Sequence, residues 1–116
     1  MFKNHKISVV IPTLNEACGI AETIGLVPKI TDEIVVVDGN SNDGTREIAA
    51  KAGAKVVLEE RRGYGRAFKT GFEHATGSII ATADGDGTYP IEMLEEVTKH
   101  LLDNELDFIS CARFPL

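Results

Sequence analysis

The sequence predicts an α/β domain with a mostly parallel sheet covered on both faces, and three observations predict it. Strand-like and helix-like segments alternate four times before a last strand-like run. The strand-like runs are apolar almost throughout, with little polar alternation, as in strands buried on both faces. The polar, glycine-containing segments follow the strand-like runs, at their carboxyl ends, where such sheets bind ligands.

In order, the strands are "KISVVIP" (6–12), a β-branched run stopped by proline, "DEIVVVDG" (32–39), "AKVVLEE" (54–60), "GSIIATADGD" (77–86) and "LDFISCARF" (106–114). The first helix is expected over 15–27, with Ile20, Ile24 and Val27 on one stripe. The second, 42–53, begins with the cap-type residues Asn42, Asp43 and Thr45 and stops at Gly53. The third, 65–77, stops at Gly77. The fourth, 89–104, has Pro90 near its first turn, Glu early, and Lys99 and His100 late, which suits the helix dipole. Alternation of this kind gives right-handed crossovers and a three-layer, Rossmann-like domain.

The remaining composition narrows the function. One domain fits 116 residues, 43% hydrophobic and 26% charged. A formal net charge of −6 argues against a nucleic-acid partner, whose phosphates need Lys and Arg. No apolar stretch reaches the ~20 residues of a membrane helix, and the N-terminus reads as a first strand instead of a signal peptide. Cys18 and Cys111 are lone thiols, which suggests a reducing, cytoplasmic setting. His5, His74 and His100 have no metal-ligand spacing with them.

Four loops are expected to meet at the carboxyl edge of the sheet. In "ADGDGTYP", Asp84 and Asp86 stand one residue apart among glycines. Two like charges so close suit a divalent cation such as Mg²⁺ or Mn²⁺ that bridges phosphates; the plainer alternative is an acidic turn that caps the next helix. In "VVVDGNSNDGT", Asp38 can accept from a base N–H or a ribose hydroxyl, whereas Asn42 and Asp43 read as a capped strand-to-helix loop. In "IPTLNE", Pro12 and Leu14 can form a wall against a flat base, and Glu16 can reach the ligand or cap the first helix. In "ERRGYGRAFKTG", Arg61, Arg62, Arg66 and Lys69 gather in an acidic chain. One or two of them can face a diphosphate, and Arg66 is counted with the binding residues. Lys69-Thr70 lacks the preceding glycine of a Walker A loop, and no dinucleotide fingerprint follows the first strand.

Taken together, "VVIPTLNE", "IVVVDGNSNDGT", "RGYGRAFKTGFEHATGSII" and "TADGDGTYP" resemble the family-2 glycosyltransferases of GT-A fold. Within them the chain is similar to the polyprenyl- or dolichol-phosphate mannosyl- and glucosyltransferases. The resemblance implies a nucleotide-diphosphate sugar donor of GDP-mannose or UDP-glucose type, a divalent metal and inversion. It implies Pro12, Leu14, Glu16, Val36, Asp38, Ala83 and Asp84 as nucleotide contacts, with Asp84 and Asp86 as the metal-binding Asp-x-Asp. A polyprenyl-phosphate acceptor implies work at a membrane surface. The family often has a second acid after Asp38, where this chain has Gly39. Family catalytic domains run to about twice this length. Residues 1–116 are therefore expected to be the donor-binding half, truncated after the fifth strand, with the catalytic residues unknown and turnover by this half weak or absent.

Two other readings stand beside this one. A nucleotide-binding module without catalysis would expose apolar surface and form a homodimer. "DGDGT" also matches the signature of haloacid-dehalogenase-like phosphatases, although there it ends the first strand and further motifs follow.

Overall fold

A computed structural model describes residues 4–82, together with Glu96, Lys99 and Asp103. The elements are β1 (Ile7–Thr13), α1 (Ile20–Leu26), β2 (Glu33–Asp38), α2 (Thr45–Lys51), β3 (Lys55–Leu58), α3 (Tyr64–His74) and β4 (Ile79–Thr82). The strands form one sheet in the order β3-β2-β1-β4. Each neighbouring pair is parallel, with Val10 level with Val35 and Thr82, and Val36 level with Val56. The expected fifth strand and most of the fourth helix lie outside the described residues. Glu96, Lys99 and Asp103 are helical and exposed.

The near-continuous apolar runs of β1 and β2 are explained by the layers, whereas β3 and β4, expected to be buried on both faces, are only partly buried, with Leu58 and Ile80 exposed, because they are the outer strands of the described sheet. In a strand successive side chains alternate between faces, so a sheet covered on both sides needs apolar residues at every position. Ile7, Val9 and Ile11 of β1 join Val36, Ile20, Ile24 and Ala49 in one buried cluster under α1 and α2. Val10, Val35 and Val37 point the other way and pack with Ala67 and Phe68 of α3. Full burial of each such side chain contributes about 1.5–3 kcal/mol. Contact between α3 and the sheet is closest at Gly71, where a Cβ would stand 2.4 Å from Val10 Cγ1 and 3.1 Å from Val37 Cγ2. Gly77 makes a second close approach, to Ser8 and the Lys6 carbonyl.

All three described helices are shorter than expected; α2 covers only Thr45–Lys51 of the expected 42–53, with Gly44 as its N-cap. α1 starts at Ile20 instead of residue 15, because the preceding amides have other acceptors. The amides of Asn15, Glu16 and Ala17 donate to Ser41, Thr45 and Asp43 of the next loop, and Asn15 is left-handed at φ 55°. α3 ends at His74, three residues before Gly77, because Ala75 is already extended. Thr76 and Gly77 are then pinned to the opposite edge of the sheet. Thr76 N and Oγ1 donate to Glu33 at 2.8 Å each, and Gly77 N donates to Ser8 Oγ at 2.9 Å.

Candidate functional site

The strand order locates the switch point of the sheet. From β1 the chain moves outward to β2 and β3, with α1 and α2 on one face. From β3 it crosses back over the other face through α3 and lands on the far side of β1, as β4. The strand order therefore reverses between β1 and β4, and loops leaving their carboxyl ends diverge. Pro12 stands at this point. Carbonyls of Ile7 and Thr13 accept from Asp32 and Gly39 on the β2 side, so odd residues of β1 bond toward β2. Pro12, an even residue, turns its missing N–H toward the β4 side, past the last described pairing of Val10 with Thr82.

Asp38, at the end of β2, is fully buried and meets four donors. Oδ1 accepts from Thr13 Oγ1 at 2.7 Å and Ser41 Oγ at 2.6 Å. Oδ2 accepts from Ser41 N at 2.7 Å and an Arg46 guanidinium nitrogen at 2.8 Å. Burial pushes its pKa up, but the bonds from Ser41, Thr13 and Arg46 outweigh burial and hold it below the ordinary aspartate value. Asp38 is thus an anion that ties the β1 end, the β2–α2 loop and α2 together. The sequence reading made it a ligand acceptor; in the structure its acceptor sites are already filled from within the chain.

The β1–α1 and β2–α2 loops are joined by further bonds. Ser41 Oγ accepts from Asn15 N at 2.7 Å, and Asn15 Oδ1 accepts from Asn42 N at 3.0 Å. Glu16 N donates to Thr45 Oγ1 at 3.0 Å, and Ala17 N donates to Asp43 Oδ2 at 3.1 Å. Asp43 Oδ1 also accepts from Thr45 N at 3.1 Å, close to the capped-loop reading. Thr45 Oγ1 accepts across the loops from Glu16 N and donates locally to Asp43 Oδ1, and the N-cap of α2 is Gly44, with no side-chain cap bond, instead of Asn42, Asp43 or Thr45. Glu16 does not cap α1, whose N-cap is Gly19 with no side-chain bond. Leu14 stays 59% exposed at the mouth, 3.6 Å from where a Cβ on Gly39 would be.

One described position sits deeper than the rest. Val36 is fully buried in the core under α1 and α2, two residues inside the strand end, so its side chain packs there. Ala83, Asp84 and Asp86 lie outside the described residues; they follow directly on Thr82, the end of β4. Among the described residues no cluster of three His, Cys, Asp or Glu could hold a metal ion.

The basic segment divides. Arg61 binds Glu59, with Nε 3.0 Å from Oε2 and a terminal nitrogen 2.6 Å from Oε1, and Thr70 Oγ1 donates to Glu59 at 2.6 Å. These bonds, from Arg61 first and then Thr70, bring the Glu59 carboxyl down to about 2. Arg61 is therefore occupied in holding the β3–α3 loop. Arg62, Arg66 and Lys69 are exposed, with Arg66 in the first turn of α3 at the carboxyl edge of the sheet. Reasoning from sequence passed over Thr13, Ser41, Arg46 and Glu59. Only Ser41 had a local signal, its position three residues after Asp38, the spacing of a side-chain-closed turn.

With this geometry in view, the comparisons are specific. The profile of glycosyl transferase family 2 matches residues 8–115. The low-salt glycan biosynthesis hexosyltransferase Agl6 of Haloferax volcanii is 40% identical over 92% of this chain and 27% of its own length. The dolichyl-phosphate hexose transferase of the same organism is 37% identical over 92% of this chain and 47% of its own. A crystal structure of glucosyl-3-phosphoglycerate synthase from Mycobacterium tuberculosis holds Mn²⁺, UDP and glucosyl-3-phosphoglycerate. It superposes with a TM-score of 0.72 and 28% identity over 85% of this chain and 40% of that one. This chain thus spans a quarter to a half of these relatives. Among the described residues the four-stranded parallel sheet is GT-A-like, and the phosphatase reading of "DGDGT" loses its support.

Proposed function

The chain belongs to glycosyl transferase family 2, and from that premise we propose that residues 1–116 are the donor-binding half of a hexosyltransferase. The donor is a nucleotide-diphosphate sugar, and the acceptor is a phosphate such as a polyprenyl phosphate at a membrane surface. The observation that carries this reading is the reversal of strand order between β1 and β4, the point where sheets of this kind bind ligands. Leu14 is exposed just past the end of β1, and in the sequence Asp84 and Asp86 come two and four residues after Thr82, the last residue of β4. UDP is the first nucleotide to try because it is bound in the synthase; GDP is the second.

The roles follow from chemistry. Leu14 and Pro12 offer an apolar wall to the base, and Asp38 offers an acceptor for its ring N–H. Arg66 meets the diphosphate with a charge-assisted bond. Two carboxylates among glycines form a hard-oxygen donor set that fits Mg²⁺ or Mn²⁺. A cation held by Asp84 and Asp86 would neutralise charge on the departing nucleoside diphosphate. An acceptor oxygen attacks the anomeric carbon, the bond to the diphosphate breaks, and its electrons leave with the nucleotide, inverting the centre. A phosphate acceptor is already anionic near neutral pH, so no strong base is needed. Among the described residues no helix is long and apolar enough to cross a membrane.

Titration calorimetry with UDP and GDP, with and without Mn²⁺, tests the reading. Metal-dependent binding of one nucleotide, lost in Asp86→Ala, is the expected result. Absence of binding by either nucleotide would overturn it.

A further inference from the structure

Asp38 presents a conflict that the proposed function must resolve. A carboxylate has about four lone-pair positions, and four internal donors fill those of Asp38. The residue is fully buried, so nothing from solvent meets it unless a covering group moves. A base can bind this carboxylate only by taking a donor's place.

The four donors are not equally able to leave. Thr13 is buried at the end of a central strand. The Ser41 hydroxyl is buried and also accepts from Asn15 N, so its departure would break two bonds. The Ser41 amide belongs to the turn itself. Arg46 differs from all three. Its side chain is 32% exposed, and one terminal nitrogen makes a single bond to Oδ2. That nitrogen's contact to Asn40 Oδ1 is 3.5 Å, at the limit of a hydrogen bond. Its long stem, rooted in the first turn of α2, can swing the guanidinium into water, where its lost bond is replaced. What remains is an anionic Oδ2 held in place by Ser41 and open on one side.

We infer that Arg46 is an exchangeable occupant of the Asp38 carboxylate, displaced when a nucleotide base bearing a ring N–H binds. This rests on the reading of Asp38 as a base contact. Arg46 acts as a positioning residue. It holds Asp38 in place while the site is empty, and the cost of its release enters the affinity for nucleotide. The exchange also sets base choice. Uracil N3–H or guanine N1–H can replace the guanidinium donor, whereas cytosine N3 presents a lone pair to a carboxylate and is repelled.

The test is calorimetry with UDP and CDP, each with Mn²⁺, on wild type, Arg46→Met and Arg46→Lys, with folding checked by circular dichroism. Removing a charge-assisted bond that must otherwise break tightens UDP binding about three- to tenfold in Arg46→Met. CDP gains nothing, so the preference for UDP rises, and Arg46→Lys lies between. Equal or weaker UDP binding by a folded Arg46→Met, or parallel shifts for UDP and CDP, would overturn the inference. In wild type, nitrogen-15 spectra of the arginine side chains provide a readout that needs no variant. The Arg46 guanidinium signal should move to the position of a free, solvated arginine on addition of UDP, and an unchanged signal would sink the idea. A wild type that binds neither UDP nor GDP defeats the proposed function itself, an outcome distinct from these.

Discussion

Gly71 is where α3 meets the sheet most closely, and Gly71→Ala puts the packing to a quantitative test. An added Cβ would stand 2.4 Å from Val10 Cγ1, 3.1 Å from Val37 Cγ2 and 3.4 Å from Val10 Cβ. Comfortable carbon–carbon separations are about 3.5–4.0 Å, so the nearest overlap exceeds an ångström. Val10 cannot easily yield, because it is β-branched, fully buried and in a strand paired on both sides. Rotating it also meets Val37, which closes the other side of the contact. The helix must therefore lift or slide, and overpacking of this kind costs about 1–3 kcal/mol. Alanine recovers up to about 1 kcal/mol over glycine in a helix interior. With about 1 kcal/mol recovered, the net loss is about 0–2 kcal/mol, and the overlap above an ångström puts it toward the upper end. At a slope of about 2 kcal/mol per molar urea, a loss of about 2 kcal/mol lowers the unfolding midpoint by about 1 M. Urea titration followed by circular dichroism measures it. Gly65→Ala is the internal control, since it lies in the same helix with nothing within 4 Å of its added Cβ. It should be neutral or stabilising by up to about 1 kcal/mol. If both substitutions stabilise equally, α3 does not rest on β1 and β2 as described.

Two further expectations concern the loops at the carboxyl edge. Ser41→Ala removes the hydroxyl shared by Asp38 and Asn15 N, leaving an acceptor and a donor short of partners, and should cost about 1–3 kcal/mol by urea melt; no change would show that water replaces it freely. The Glu59 carboxyl is brought from its ordinary 4.5 to about 2 in the fold, so its contribution is fully present above pH 4.5 and fades as pH falls toward 2. Melting temperature followed across that window should drop more steeply for wild type than for Glu59→Gln, and identical pH profiles would refute the Arg61–Glu59–Thr70 arrangement.

The two loops behave as one platform because each supplies what the other lacks. The β1–α1 loop has amides without helical acceptors at Asn15, Glu16 and Ala17. The β2–α2 loop has oxygens at Ser41, Thr45 and Asp43 that receive them. Asp38 joins the platform to the sheet through Thr13. A ligand bound at this edge, as proposed, would meet a surface whose backbone is already bonded in place, which would lower the ordering cost of binding.

The sequence by itself determined the order and type of every described element. Unbroken β-branched runs have one economical solution, a sheet covered on both faces, and the alternation with helices makes it parallel. Runs of chemistry-bearing residues after each strand likewise identified the carboxyl edge and the family. What only the tertiary structure decided was the strand order, and with it the switch point between β1 and β4. It also decided that Val36 is core, that α1 begins at Ile20, and that Asp38 is saturated. These share one physical cause. Periodicity is local and can be read within a window of residues, whereas the partners of a buried carboxylate come from wherever the chain returns. Thr13, Ser41 and Arg46 lie on a strand, a loop and a helix, and nothing in the spacing of Thr13 or Arg46 announces that they meet at one oxygen pair.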